Sequence, residues 1–360
     1  MKLFACDNCQ QTLYFENSRC VNCGESVGYC PEVAHLAVLR QPADAPPGIF
    51  EISLPNNETR RDRQCGNARF DACNWLVTTD SAAEYCRSCE LSEVIPDLSD
   101  PANELAWRHI EAAKRRLVYT LLSLKLPVAP KKQYPETGIA FHFLRGTNEE
   151  PAMTGHEDGV ITLNIAEADS TFRENMREKM GEAYRTVLGH FRHEVGHYYW
   201  DRLIPGTEWE EPFRALFGDE RADYAAALKA NYESGPPPDW RDRHISAYAS
   251  SHPWEDWAET WAHFMHIQDS LDTAISFGIK GDRMADKVEP YSKEDLYAPD
   301  DPDAERVLVL LNAWLGMTTV LNELARSMGQ PDFYPFVMSR PVVRKLHFIQ
   351  LVCRQGPAAA

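Results

Sequence analysis

The stretch GHFRHEVGHYYWDRLI, Gly189 to Ile204, decides how this chain is read, and His193-Glu194-Val195-Gly196-His197 lies at its centre. On an α-helix, residues four apart stand one turn above each other, so both imidazoles leave the same face and can share a metal ion. Glu194 points about 100° further round, where its carboxylate reaches a water at an open coordination position without binding the metal. Tyr184, Leu188, Phe191, Val195 and Tyr199 recur at helical spacing and predict an apolar stripe nearly opposite the histidines. The competing reading is two histidines hydrogen-bonded in a core. It is the weaker one, because a helix buried on one side with a His/Glu/His face on the other is poor material for a chance match.

A catalytic zinc needs a third protein ligand. Downstream, SAYASSHPW leads into a predicted helix, EDWAETWAHFMH, with Pro253 suited to its first turn. Glu255 and Glu259 are four apart and share a face, with Trp254, Trp257, Ala258, Trp261 and Phe264 on the apolar side. This pattern nominates Glu255 as the ligand and Glu259 as the acceptor that orients a histidine. An ordinary charged helix face is the alternative. Glu220 and Asp223, 23 and 26 residues after His197, are weighed as ligands and assigned instead to a solvated or supporting helix face. His263 and His266 are read as packing or cleft-lining residues.

Toward the N-terminus, Cys6-x2-Cys9 and Cys20-x2-Cys23 form two knuckles of paired thiolates, with Phe4, Leu13, Tyr14 and Phe15 around them. Such a set closes a tetrahedral zinc site and folds a segment too short for its own core. Cys65, Cys73 and Cys86-x2-Cys89 make a second four-cysteine set. A nucleophilic role for Cys73 is the rival there, but no histidine partner lies nearby in sequence. Cys30 is left over as a core thiol. One catalytic and one or two structural zinc ions are therefore expected.

With 360 residues, 44% of them hydrophobic, the chain can bury a substantial core. A net charge of −17 without a basic run argues against nucleic-acid binding. The N-terminus lacks a signal-peptide apolar region, and no stretch is read as a membrane span, so a cytoplasmic protein with reduced thiols is expected. Glu93 to Asp100 reads as a linker into a helix over Asn103 to Leu124. Two strand-like runs follow, Ile139 to Leu144 and Gly159 to Ile165; an edge strand there either offers backbone pairing to an extended peptide or serves only as scaffold. Gly206 to Gly218 reads as irregular, Asp219 to Asn231 as helical, and Val307 to Met328 and RPVVRKLHFIQLV as closing helices. The expected class is α+β: residues 1–95 a zinc-ribbon region with two four-cysteine sites, 96–277 a mostly helical zincin-like domain with a small sheet, and 278–360 a helical extension packed on it.

HEVGH, with Glu255 58 residues beyond the second histidine, resembles gluzincin metallopeptidases, especially the branch with a tyrosine seven residues before the ligand glutamate. The paired cysteines, TGHEDGVITLNIAEAD, LGHFRHEVGHYYW and PWEDWAETWAHF together resemble a bacterial family of zinc-binding metallopeptidases with an N-terminal zinc ribbon. The resemblance runs from residue 1 to about 350. It implies ligation by His193, His197 and Glu255, Glu194 as general base, and Tyr248 as a stabiliser of the transition state. The expected reaction is hydrolysis of a peptide or isopeptide bond by a zinc-activated water. His190, one turn before His193, is a second candidate donor to the oxyanion. The rival reading is a peptide-binding protein with a non-hydrolytic metallopeptidase-like domain and ribbons that dock a protein partner. Against it, a pure binding domain has no need of Glu194.

Overall fold

The computed structural model describes residues 2–146, 152, 154–279 and 289–356. The chain divides into two compact units, residues 1–121 with 128–173, and residues 122–127 with 174–360.

In the first unit, β1 (Phe4–Ala5) pairs with β2 (Thr12–Leu13), β3 (Val27–Cys30) with β4 (His35–Val38), and β5 (Ile49–Ser53), β6 (Thr59–Gln64) and β7 (Leu76–Thr78) form an antiparallel sheet. Short strands alone cannot bury much surface, and here an aromatic cluster joins them. Phe15 sits edge-on to Tyr29, Trp75 and Tyr119, with ring centroids 4.9, 6.2 and 5.3 Å away. Cys30, Ala37, Leu39, Ile52 and Leu76 make a second buried cluster. Burial pushes the Cys30 thiol up to about 12, which suits an inert core residue.

A four-stranded sheet of order β10-β11-β9-β8 completes this unit. It contains β8 (Ser92–Val94), β9 (Ala140–Leu144), β10 (Gly155–Glu157) and β11 (Val160–Asn164), and the long helix α1 (Pro101–Ser123) connects β8 to β9. β8, β9 and β11 run parallel, and β10 is an antiparallel edge turned back by Asp158-Gly159. The expected linker from Glu93 is thus partly strand: Ser92 and Val94 pair with Phe141 and His142. Three residues are too few for an alternating pattern to show.

The boundary falls within α2 (Ser170–Met180), and the second unit continues with α3 (Val187–Leu203), α4 (Glu210–Phe217), α5 (Tyr224–Ser234), α6 (Trp240–Arg243), α7 (Pro253–Ser276), α8 (Ala304–Ser327) and α9 (Arg340–Gln355). The stretch read as irregular contains α4, whose Phe213 and Phe217 are buried. α5 starts at Tyr224 rather than Asp219, because Asp223 caps it by accepting from the Ala226 N–H. Tyr184 lies outside α3, which begins after Thr186 caps it through Gly189. Most residues of α3 are buried, His193, Glu194 and His197 among them, so its histidine face turns inward rather than to bulk solvent. One described helix, α8, is long and apolar enough to cross a membrane by length and composition alone, where the sequence reading found none. Here it packs on α7 and sets Trp314 edge-on to Tyr334.

The core of this unit is the α3–α7 pair. Trp257 and Trp261 are fully buried, and full burial of such side chains contributes roughly 4–6 kcal/mol each before conformational entropy is subtracted. Tyr199 stacks on Trp261 at 5.0 Å and 19°. Gly196 sets how closely the helices approach: a Cβ there would lie 2.9 Å from Ala258 Cα, and its carbonyl accepts from Trp257 Nε1 at 2.8 Å. α9 locks the far side of α7, where Lys345 donates to Asp256 at 2.6 Å and to the Arg243 carbonyl at 2.8 Å.

Candidate metal centre

Close approach of α3 and α7 brings three ligand atoms from distant sequence to one point. His193 Nε2 and His197 Nε2 are 3.2 Å apart, and Glu255 Oε2 lies 3.0 Å from the first and 3.5 Å from the second. A tetrahedral ion with bonds of about 2.0–2.1 Å separates its ligand atoms by about 3.3 Å, so the triangle has the size of one face of such a site. Glu255 Oε2 is buried and accepts no hydrogen bond of good geometry. Two imidazole nitrogens and a carboxylate oxygen so disposed fit a divalent cation.

The start of α7 holds Glu255 in place. His252 caps the helix, its Nδ1 accepting from the Trp254 N–H at 3.1 Å, and Pro253 occupies the first turn. Because Nδ1 accepts, Nε2 carries the proton and donates to the Ala222 carbonyl at 3.1 Å. Glu255 and Asp256 then fall in the first turn, where the helix dipole favours carboxylates.

A second layer orients the ligands. His193 Nδ1 is 2.7 Å from Glu259 Oε1, so its N–H points to that carboxylate and the Nε2 lone pair turns to the centre. Ser246 Oγ donates to Glu259 Oε2 at 2.6 Å. Tyr224 Oη donates to Glu255 Oε1 at 2.6 Å. The His197 ring lies on Trp254, centroids 3.8 Å apart. Burial works to lower the His193 pKa, but Glu255 and Glu259 override it and hold it well above the ordinary imidazole value. Burial works to raise the Glu255 pKa, and the two imidazoles hold it well below the carboxylate range. The site therefore favours positive charge at its centre.

Glu194 follows His193 on α3, only 6% exposed, and its charge is among the influences that raise the Tyr224 pKa. The Tyr248 ring centroid is 5.9 Å from that of His193, and burial pushes the Tyr248 hydroxyl far above its usual range. His190 is half-buried one turn earlier on α3. Glu220 and Asp223 do not join the cluster: Glu220 pairs with Arg214 at 2.6 Å and Asp223 caps α5. His263 and His266 pack elsewhere, against Tyr334 at 2.8 Å and Arg192 at 2.7 Å. Sequence reasoning missed Tyr224, Ser246 and the spacing role of Gly196. Only Gly196 left a signal, as a helix-breaking residue inside an otherwise well-patterned helix.

Both cysteine sets also close. Cys6, Cys9, Cys20 and Cys23 bring their sulfurs together, with Cys6–Cys23 at 3.7 Å and Cys9–Cys20 at 3.6 Å. Cys65, Cys73, Cys86 and Cys89 do the same, all buried, with Cys73–Cys86 at 3.7 Å. Four thiolates at about 2.3 Å from zinc lie about 3.8 Å apart, so both sets fit it. Backbone N–H groups of Cys86 and Trp75 point at Cys65 and Cys73 sulfurs, each at 3.4 Å. All described cysteines are free of disulfides. Cys73, enclosed by three other sulfurs, has no open side for a substrate.

Residues 103–352 match a family described as "Putative zinc-binding metallo-peptidase", and residues 3–100 match one described as a zinc-ribbon domain. The chain is 40% identical over 353 residues to proteins from Mycobacterium bovis and two strains of Mycobacterium tuberculosis, covering 98% of this chain and 95% of theirs; all three are described as uncharacterized. No solved structure matches it. Together with two thiolate clusters sized for zinc, these matches show that the chain belongs to the family described as "Putative zinc-binding metallo-peptidase", with a zinc-ribbon domain ahead of the peptidase region.

Proposed function

We propose that the chain is a zinc-dependent hydrolase of the gluzincin type that cleaves peptide or isopeptide bonds. The observation that carries this reading is the triangle of His193 Nε2, His197 Nε2 and Glu255 Oε2, with edges of 3.0 to 3.5 Å, on two helices that also present Glu194. When bound by these three atoms, zinc makes water nucleophilic near neutral pH and polarises the scissile carbonyl.

The chain's own groups do the rest. Glu194 takes a proton from the attacking water on its carboxylate and delivers it to the leaving amine. Glu259, itself held by Ser246, keeps the His193 ring in the tautomer that offers Nε2 to the ion. Tyr248 donates its hydroxyl hydrogen to the developing oxyanion, with His190 as an auxiliary donor. The four-cysteine sites have no open corner, so they act as structural elements or as docking points for a protein partner. The substrate is a peptide or protein, and the acidic surface leaves nucleic acid outside its range. We place the protein in the cytoplasm, where unpaired thiols persist.

The test is incubation with a peptide library, with and without a chelator, read by mass spectrometry. Chelator-sensitive products are expected from the native chain. Glu194→Gln should retain zinc and fold while losing at least about a hundredfold in turnover. Unchanged turnover in that variant removes Glu194 from the role. No products under any condition favours the peptide-binding alternative.

A further inference from the structure

We infer that Tyr224 is a positioning residue that fixes which oxygen of Glu255 faces the histidine pair, and so holds this carboxylate to one-oxygen ligation. The inference rests on the reading of His193, His197 and Glu255 as a metal site.

A glutamate ligand has two equivalent oxygens and can bind an ion through one or both. Here they are in different surroundings: Oε2 faces the two imidazoles, while Oε1 accepts from the Tyr224 hydroxyl at 2.6 Å. A short hydroxyl-to-carboxylate hydrogen bond is charge-assisted and about twice as strong as a neutral one. Rotation that brought Oε1 to the ion would break it. Two coordination corners are then not consumed by one side chain, and a position remains for water or substrate.

Nothing else in its own helix places Tyr224 there. α5 buries none of its residues, and Tyr224 itself is 38% exposed. A tyrosine on such a helix ordinarily turns its hydroxyl to solvent. This one is turned inward, its ring edge-on to His252 at 5.2 Å and to Trp254 at 5.7 Å. The hydrogen bond from His252 to the Ala222 carbonyl anchors the residues just before α5 to the cap of α7. The polar and aromatic contacts of Tyr224 and Ala222 therefore converge on the turn that presents Glu255.

The experiment uses the full chain with zinc retained in its cysteine sites. A mild chelator removes the more labile ion, and zinc affinity at the emptied site is measured by competition; cobalt is then added and its visible spectrum recorded. Tyr224→Phe keeps the ring contacts and removes the hydroxyl, which donates to Glu255 and also interacts with Tyr248. It should weaken zinc binding about tenfold or more, in the range seen when partners of metal ligands are lost. Its cobalt spectrum should lose intensity as Glu255 swings to offer both oxygens. The melting temperature should stay within about 2 °C, since a partly exposed hydroxyl is removed. Affinity within twofold of the native chain together with an unchanged cobalt spectrum overturns the inference alone. A native chain with no chelator-labile ion, and with no loss of ion in Glu255→Ala, overturns the site reading and this inference with it.

Discussion

The thiolate clusters and the His/Glu cluster differ in how far the chain must travel to make them. Cys6 to Cys23 spans 17 residues and Cys65 to Cys89 spans 24, whereas His193 and Glu255 are 62 apart and on separate helices. Knuckles carry their own geometry, since an x2 spacing presents two sulfurs before any tertiary contact forms. The His/Glu triangle exists only because α3 and α7 pack to a fixed separation. In one region a bound metal would organise the fold; in the other the fold organises a candidate metal site. Each thiolate cluster offers four ligand atoms to an ion, and the His/Glu cluster offers three.

The sharpest way to break this contrast is to remove one ligand from a closed site. Cys86→Ser should unfold the surroundings of Trp75, because structural zinc in small modules contributes apparent binding energies on the order of 10 kcal/mol at neutral pH. Loss of one zinc equivalent and rapid proteolysis near residue 75 are expected; an intact, zinc-depleted region would make the cluster dispensable. Chelation of the His/Glu site should do the opposite. Hydrolysis should vanish while far-UV circular dichroism stays within about a tenth of its starting value, since Glu255 and Glu259 keep hydrogen-bonded partners without the ion. Collapse of helical signal under mild chelation would place both regions in the same class.

Smaller effects sharpen the comparison. Glu259→Gln leaves the three ligand atoms in place but weakens the hold on His193, so zinc affinity should fall about ten- to a hundredfold. Unaltered affinity would reduce Glu259 to packing. The smallest effect is a control away from every cluster. Arg354 pairs with Asp301 at the base of α8 and holds that carboxyl below its usual range. The Arg354 side chain is 41% exposed, so Arg354→Gln should cost under about 1 kcal/mol at pH 7. Because the folded pKa of Asp301 is depressed, that contribution is complete above about pH 4 and lost as pH falls through the lowered value. Thermal melts at pH 7 and pH 3 measure the difference, and an equal loss at both would rule out the ion pair as its source.

Legibility followed the same divide. The first cysteine set and the histidine pair were readable because each rests on local spacing, while the second set offered only one compact knuckle, Cys86-x2-Cys89, with Cys65 and Cys73 eight residues apart. The α3 and α7 helices were readable from apolar periodicity, and Glu255 from its pairing with Glu259 four residues on, away from the apolar side. The support around them was not. Tyr224 and Ser246 are single polar residues in stretches whose patterns give no direction to a side chain, and their roles come from tertiary approach. Ser92–Val94 is too short for an alternating pattern, and α4 was masked by the acidic residues that open it.

Gly196 leaves no room for a side chain between α3 and α7. A methyl group there would press on the Ala258 backbone at 2.9 Å, and one helix would have to move by several tenths of an ångström. The two edges that run from Glu255 on α7 to the histidines on α3, 3.0 and 3.5 Å, span the same helix interface and would lengthen with it. The bare glycine thus sets the gap between two rods, and with it the bite of the candidate metal centre, whose edges suit bonds of about 2.0–2.1 Å better than the 2.3–2.6 Å that calcium needs.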